Sequence, residues 1–246
     1  MVDLLRRTRS LVSASSTADL GATAGLGTHG YGAEVTVQAG HIGLAGDLTV
    51  PQGARGIVLF AHGSGSSRRS PRNRSVALLL NEAGLGTLLF DLLADTEALD
   101  RRNVFDIPLL AARLSAADRW LRWEAGLTGQ HIGYFGASTG AAAALWATAR
   151  ADADVAAVVS RGGRPDLAGE RLALVKAPTL LVVGGRDEVV LELNRLAQQK
   201  LRCESRLAVV PGATHLFEEP GMLRTAAELA CDWFVAHLTP SRQPTP

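Results

Sequence analysis

The chain has 246 residues, a length suited to one α/β domain, with 47% hydrophobic residues, 20% charged residues and a formal net charge of +1. The near-neutral charge argues against nucleic acid as a partner, and no apolar run reaches the roughly 18 residues that a membrane helix needs. Two cysteines, Cys203 and Cys231, are too few for a disulfide framework or a cysteine-based zinc site.

The two ends of the chain differ in composition from the rest. Residues 1–31, rich in Ser, Ala, Thr and Gly, are predicted to form a flexible leader, and residues 240–246 a disordered tail. One folded domain is expected over residues 32–239. The N-terminal arginines are followed by small and polar residues, which argues against a secretory signal. We therefore expect a cytoplasmic protein that is a monomer or a homodimer.

Strand and helix signals alternate between these ends. Strand signals lie at Glu34–Gln38, Ile42–Val50, Gly56–Ala61, Thr87–Leu92, His131–Phe135, Val155–Val159, Thr179–Val183 and Arg206–Val210. Helix signals lie at Pro71–Gly84, Ile107–Trp123, Thr139–Arg150, Val189–Leu201 and Met222–Leu238. The alternation predicts βαβ units and a mostly parallel sheet. Only about twenty residues separate the strands at 155–159 and 179–183, so no large cap domain is expected there.

The segment GASTG, residues 136–140, follows a predicted buried strand directly and opens an Ala-rich helix. A Gly-x-Ser-x-Gly sequence in that context is typical of a strained strand-to-helix turn that carries a nucleophilic serine. Ser138 is therefore the candidate nucleophile. The backbone N–H of Thr139, at the start of the helix, is a candidate donor to an oxyanion.

A serine hydroxyl needs a general base, and the acid that orients this base is expected between the two in chain order. His215 is the candidate base, because it lies on the loop after the last predicted strand. Asp187, in the turn after Thr179–Val183, is the candidate acid. Glu188 beside it is the alternative acid, and Asp187 would instead serve as a helix cap if it were purely structural.

The loop after the strand Gly56–Ala61 has the sequence HGSGSS. The N–H of Ser64 is the candidate second oxyanion donor, because Gly63 lets the loop fold tightly against the nucleophile turn. Gly63 is also a candidate substrate-binding residue. The loop lacks the Lys-Ser/Thr ending of a P-loop and the third glycine of a dinucleotide-binding turn. We expect neither a metal nor an organic cofactor.

Several arginines are expected near the carboxyl edge of the sheet, where ligands of such sheets bind. Arg161, after the strand signal at Val155–Val159, is a candidate substrate-binding residue. The others are Arg68, Arg69, Arg72, Arg74, Arg101 and Arg102. Two interpretations stay open: an acidic or phosphorylated ester as substrate, or solvated surface arginines.

From about Glu34 to Leu238 the sequence resembles the dienelactone hydrolase group of the α/β-hydrolase family. The resemblance rests on the segments GDLTVP, HGSGSS, GASTG, GGRDEVV and GATHLF. It implies an α/β-hydrolase fold with an eight-stranded, mostly parallel sheet flanked by helices, and hydrolysis of an ester or lactone. The name-giving enzymes use a cysteine nucleophile where this chain has Ser138, which favours a general serine esterase. The stretch HGSGSSRRSPRNR is also similar to hydrolase domains that are fused to phosphoribosyltransferases.

These residues together predict an enzyme that cleaves a small carboxylic ester with a short acyl group through an acyl-enzyme. A thioesterase or peptidase that uses the same residues is a second interpretation, because the nucleophile and base do not specify the leaving group. A catalytically silent binding module with this fold is the third.

Overall fold

The computed structural model of the protein describes residues 30–123 and 125–238. The predicted tail and nearly all of the predicted leader lie outside these ranges. Tyr31, predicted as the last residue of the leader, opens the first strand. Within the described ranges, every helix is too short or too polar to cross a membrane.

The described chain forms one sheet of eight strands. They are β1 (Tyr31–Ala39), β2 (Ile42–Val50), β3 (Ile57–Ala61), β4 (Gly86–Phe90), β5 (Ile132–Ala137), β6 (Ala157–Arg161), β7 (Thr179–Gly184) and β8 (Ser205–Val210). Their order across the sheet is β1-β2-β4-β3-β5-β6-β7-β8. The pairs β1–β2 and β2–β4 are antiparallel, and the other pairs are parallel. The predicted mostly parallel, eight-stranded sheet is confirmed.

Helices cover both faces of the sheet. They are α1 (Pro71–Glu82), α2 (Asp95–Ala98), α3 (Arg101–Val104), α4 (Ile107–Trp123), α5 (Thr139–Thr148), α6 (Glu188–Lys200) and α7 (Met222–Leu238). Apolar side chains of α4 and α5 fill the core on one face, and those of α1 and α7 fill the core on the other. Because both faces are covered, every residue of the central strands β3, β5 and β6 is buried, which explains their continuous apolar runs.

The predicted strand bounds differ from the observed ones where apolar runs and backbone pairing do not coincide. Strand β1 begins three residues before the predicted Glu34, because Tyr31 already pairs with Val50. Strands β5 and β6 each extend two residues beyond the predicted carboxyl end, where Ala137 pairs with Arg161, and β6 begins two residues later than predicted. Strand β4 ends two residues early, at Phe90, where its pairing with Gly46 ends. The helices α2 and α3 were not predicted, because four residues are too few to show a helical period.

The connection between β6 and β7 contains a short 3₁₀ stretch over Pro165–Leu174, broken by a kink at Gly169. No large cap therefore stands over the carboxyl edge of the sheet in the described ranges, as predicted. The candidate site lies on that edge.

Candidate active site

Ser138 occupies the turn between β5 and α5 with φ 51° and ψ −123°. This region is costly for a residue that carries a side chain, and such strain is commonly found at functional sites. The two glycines of the turn are required because a side chain at either position would clash with nearby backbone. A Cβ at Gly136 would collide with the backbone of Ala141, and one at Gly140 with the carbonyl of Ala61. The turn thus holds the serine at the end of β5, against the loop that follows β3.

Asp187 and His215 are in direct contact. His215 Nδ1 lies 2.6 Å from Asp187 Oδ2, and the Asp187 side chain is only 15% exposed. Asp187 stands at the N-cap position of α6, yet its side chain makes no capping hydrogen bond. Its carboxylate is used for the histidine instead. Glu188, the alternative acid, is an exposed first residue of α6.

The loop that carries His215 is anchored on both sides. Phe217 is 1% exposed and adopts φ 57°, so its ring enters the core while the backbone turns sharply. The carboxylate of Glu219 accepts the N–H of Thr214 at 3.1 and 3.2 Å. Sequence reasoning missed both supports; their only signal was an aromatic and an acidic residue shortly after the histidine.

Ser138 and His215 line one cavity of about 240 Å³, together with Gly63, Ser64 and Arg161. Among the described residues, no hydrogen bond joins the Ser138 hydroxyl to His215. Catalytic hydrogen bonds often form fully only when substrate is bound. The structure thus brings most of the predicted site residues to one cavity, with Asp187 behind His215.

Thr139 connects the nucleophile turn to the loop after β3. The N–H of Ser64 donates to Thr139 Oγ1 at 2.9 Å. The same loop approaches the nucleophile so closely that a Cβ on Gly63 would lie 3.0 Å from the Cβ of Ser138. The Ser64 N–H is near the nucleophile, but an oxyanion would have to share it with the threonine hydroxyl or displace that hydroxyl. The assignment of Ser64 and Thr139 as oxyanion donors stays a prediction.

His62 and Arg68 hold this loop in place. His62 Nε2 accepts the N–H of Leu92 at 3.1 Å, and His62 Nδ1 lies 3.0 Å from the carbonyl oxygen of Gly63. Burial lowers the pKa of His62, although the Gly63 carbonyl and Asp91 oppose the shift. The neutral imidazole therefore donates to the loop on one side and accepts from the segment after β4 on the other.

The arginines of the predicted cluster at residues 68–74 are largely paired with carboxylates. Arg68 is 9% exposed and pairs with Asp47 at 2.7 Å and with Asp91 at 3.3 Å, so it braces the loop. Arg74 also pairs with Asp47, at 2.9 Å. Arg72 does line the cavity with Ser138, and it pairs with the exposed Glu218 at 3.1 Å.

Acid should destabilise the protein through His62. The unfolded histidine takes up a proton near pH 6.5, whereas the folded one resists it, so the free energy of unfolding should fall below that pH by at most about 1.4 kcal/mol per unit. Urea unfolding at pH 7.5 and 5.5 would measure the effect. Glutamine does not titrate in this range, so the free energy of unfolding of His62→Gln should fall less between pH 7.5 and 5.5 than that of wild type. The matched control is His41→Gln, at an exposed histidine, which should behave as wild type. Equal losses in wild type and His62→Gln would contradict the expectation.

Relatives were found among curated proteins and solved structures, although no family model matches the chain. A protein of Mycobacterium tuberculosis named "Putative phosphoribosyl transferase" is 62% identical over 205 residues, which make up 83% of this chain and 46% of that protein. The chain thus spans about half the length of this relative. A dienelactone hydrolase from Anabaena variabilis has 52% identity and a TM-score of 0.82 over 85% of this chain and 99% of that one. Est1E from Butyrivibrio proteoclasticus shares the fold, with 14% identity and a TM-score of 0.69 over 83% and 98% of the two chains.

Proposed function

This chain belongs to the dienelactone hydrolase-like group of the α/β-hydrolase family, and from that premise we propose that it is a serine hydrolase that cleaves carboxylic esters with short acyl groups. The observation that carries the proposal is the strained Ser138 in one cavity with His215, whose ring is held by Asp187. The Anabaena relative, 52% identical, is named a hydrolase, which supports the same reaction class.

In the proposed reaction, Ser138 Oγ attacks the acyl carbon while His215 Nε2 takes the hydroxyl proton. Asp187 accepts the Nδ1–H bond, which sets the tautomer and stabilises the imidazolium. The negative oxygen of the tetrahedral intermediate is held by the backbone N–H groups of Thr139 and Ser64. His215 then protonates the departing alcohol. Water, deprotonated by His215, releases the acid and restores Ser138.

The name of the longer relatives does not identify the activity of this chain. They are named for a transferase, but this chain covers 46% of their length, and the matched part need not contain the transferase. The HGSGSS loop lies against the nucleophile and is braced by Arg68 and His62. These contacts support an oxyanion loop in this position.

Labelling with a fluorophosphonate tests the enzyme class. The reagent reacts with an activated serine, so we expect one adduct per chain, on the peptide that contains Ser138. Ser64, which lines the same cavity, is the internal control and should stay unlabelled. A folded protein that takes up no label would favour the binding-module interpretation.

Short acyl esters should be the better substrates. The cavity that contains Ser138 holds about 240 Å³, and the described chain has no large cap to extend it. Each further methylene of the acyl chain gains about 0.8 kcal/mol only where it is buried. Across p-nitrophenyl esters we expect kcat/KM to be highest for acyl groups of about two to four carbons and to fall for longer ones. A steady rise up to long fatty acyl groups would contradict this.

A further inference from the structure

Arg161 ends β6 and is a buried cation without a carboxylate partner in the described chain. It is 8% exposed. Its Nη1 atom is buried and has no hydrogen-bond partner, and Nη2 makes one long hydrogen bond, 3.3 Å, to the amide oxygen of Asn73. The guanidinium also lies over the ring of Phe135, 5.8 Å from its centroid. These contacts leave much of its hydrogen-bonding capacity unused.

Three other poorly exposed arginines of the described residues are paired with carboxylates. Arg68, Arg113 and Arg122 each contact a carboxylate, at 2.7, 2.6 and 2.6 Å respectively. An unpaired buried charge is costly, so buried charges are normally paired. Burial, together with the neighbouring cation Arg72, lowers the pKa of Arg161 to about 10. The group is still protonated at neutral pH and lacks a counter-ion.

The unused guanidinium lies beside the candidate nucleophile. Arg161 lines the cavity that contains Ser138 and His215, and so does the first turn of α1, with Ser70, Arg72 and Asn73. This helix has 12 residues and no acidic residue in its first turn. The N-terminus of a helix carries partial positive charge and favours anions. Two guanidinium groups and a helix N-terminus therefore converge on one small cavity.

We propose that Arg161, Arg72 and the N-terminus of α1 bind a phosphate group on the substrate, so that the carboxylic ester attacked by Ser138 belongs to a phosphorylated molecule. The inference rests on the proposed function. A phosphate has oxygens enough to accept from both guanidinium groups and from hydroxyls such as that of Ser70. Its negative charge balances the unpaired Arg161 and adds a second partner for Arg72, which already contacts the exposed Glu218. The phosphate supplies the counter-ion that Arg161 lacks and fixes the ester relative to Ser138; it is not itself cleaved.

A matched set of esters tests the proposal. The acetyl ester of a small phosphorylated alcohol is compared with the acetyl esters of the unphosphorylated alcohol and of its carboxylate analogue. Wild type should prefer the phosphorylated ester by about tenfold to a hundredfold in kcat/KM, the range expected for hydrogen bonds to charged groups. Inorganic phosphate should inhibit competitively.

Arg161→Met is the test variant, because it keeps apolar length against Phe135 and removes the charge. It should lose the preference for the phosphorylated ester, measured as the ratio of kcat/KM for the phosphorylated ester to kcat/KM for the neutral ester in the same variant. Arg161→Lys should keep part of the preference. Arg150→Met, which removes an exposed arginine paired with Asp152, is the control and should behave as wild type.

Thermal unfolding separates a binding role from a structural one. Inorganic phosphate should raise the Tm of wild type and leave that of Arg161→Met unchanged. Without phosphate, the Tm of Arg161→Met should equal or exceed that of wild type, because an unpaired buried charge has been removed. A structural arginine would give a lower Tm.

Three results would overturn the proposal. The first is an equal loss of kcat/KM on neutral and phosphorylated esters in both Arg161→Met and Arg161→Lys. The second is a wild type that prefers the carboxylate ester as much as the phosphorylated ester, or more. The third is a wild type that hydrolyses neutral esters and shows no preference for the phosphorylated one. The last result would leave the proposed function intact. A folded wild type that cleaves no ester and takes up no fluorophosphonate would instead overturn the proposed function itself.

Discussion

Ser138→Ala is expected to lower kcat/KM for ester hydrolysis by a factor on the order of 10⁴ to 10⁶. The variant removes the oxygen that forms the acyl-enzyme, and water bound in its place is a poorer nucleophile. Stability should change little, because alanine must adopt the same strained backbone, φ 51° and ψ −123°, that serine adopts. Activity and stability should therefore separate cleanly at this position.

Ser138→Gly provides a second inactive variant with the opposite expectation for stability. Glycine tolerates positive φ without the steric cost, so this variant should be more stable than Ser138→Ala. Initial rates with p-nitrophenyl acetate and urea unfolding of all three proteins give both readouts. Near-wild-type turnover by either folded variant would disprove the assignment of Ser138.

Asp187→Asn is expected to lower kcat by about 10⁴, the size of effect known for this change in a serine protease. In the present structure Asp187 Oδ2 lies 2.6 Å from His215 Nδ1. An asparagine can turn its NH₂ group toward Nδ1, which would then have to accept and would leave the proton on Nε2. His215 could not take the serine proton in that tautomer.

Glu188→Gln is the matched control for Asp187→Asn, since it makes the same chemical change one residue further along the chain. Glu188 is exposed at the start of α6, so its loss should change kcat by less than about threefold. Steady-state kinetics on a short ester compares the two variants. A larger loss in Glu188→Gln than in Asp187→Asn would reassign the acid.

Much of the fold could be read from local pattern. The order of strands and helices, the exact bounds of β2, α4 and α7, and the mostly parallel sheet follow from apolar runs, cap residues and alternation along the chain. The nucleophile turn was also visible locally, as a Gly-x-Ser-x-Gly segment between a strand and a helix, although only Gly136 is constrained by near neighbours in the chain; Gly140 is constrained by Ala61, on the loop after β3. Short helices and strand ends were missed, since they depend on pairing and packing.

Local sequence therefore determined the kind of fold and the candidate residues, whereas tertiary structure decided what each candidate touches. The sequence favoured Asp187 as the acid and left the adjacent Glu188 as the alternative, and the meeting of two loops 28 residues apart brings Asp187 to His215. Likewise, the sequence does not distinguish the arginines from one another. In the structure Arg68 is paired with Asp47, whereas Arg161 has no carboxylate partner among the described residues. The physical reason is that charge pairing and hydrogen bonding act over a few ångströms in space, and the sheet register sets which distant residues come that close.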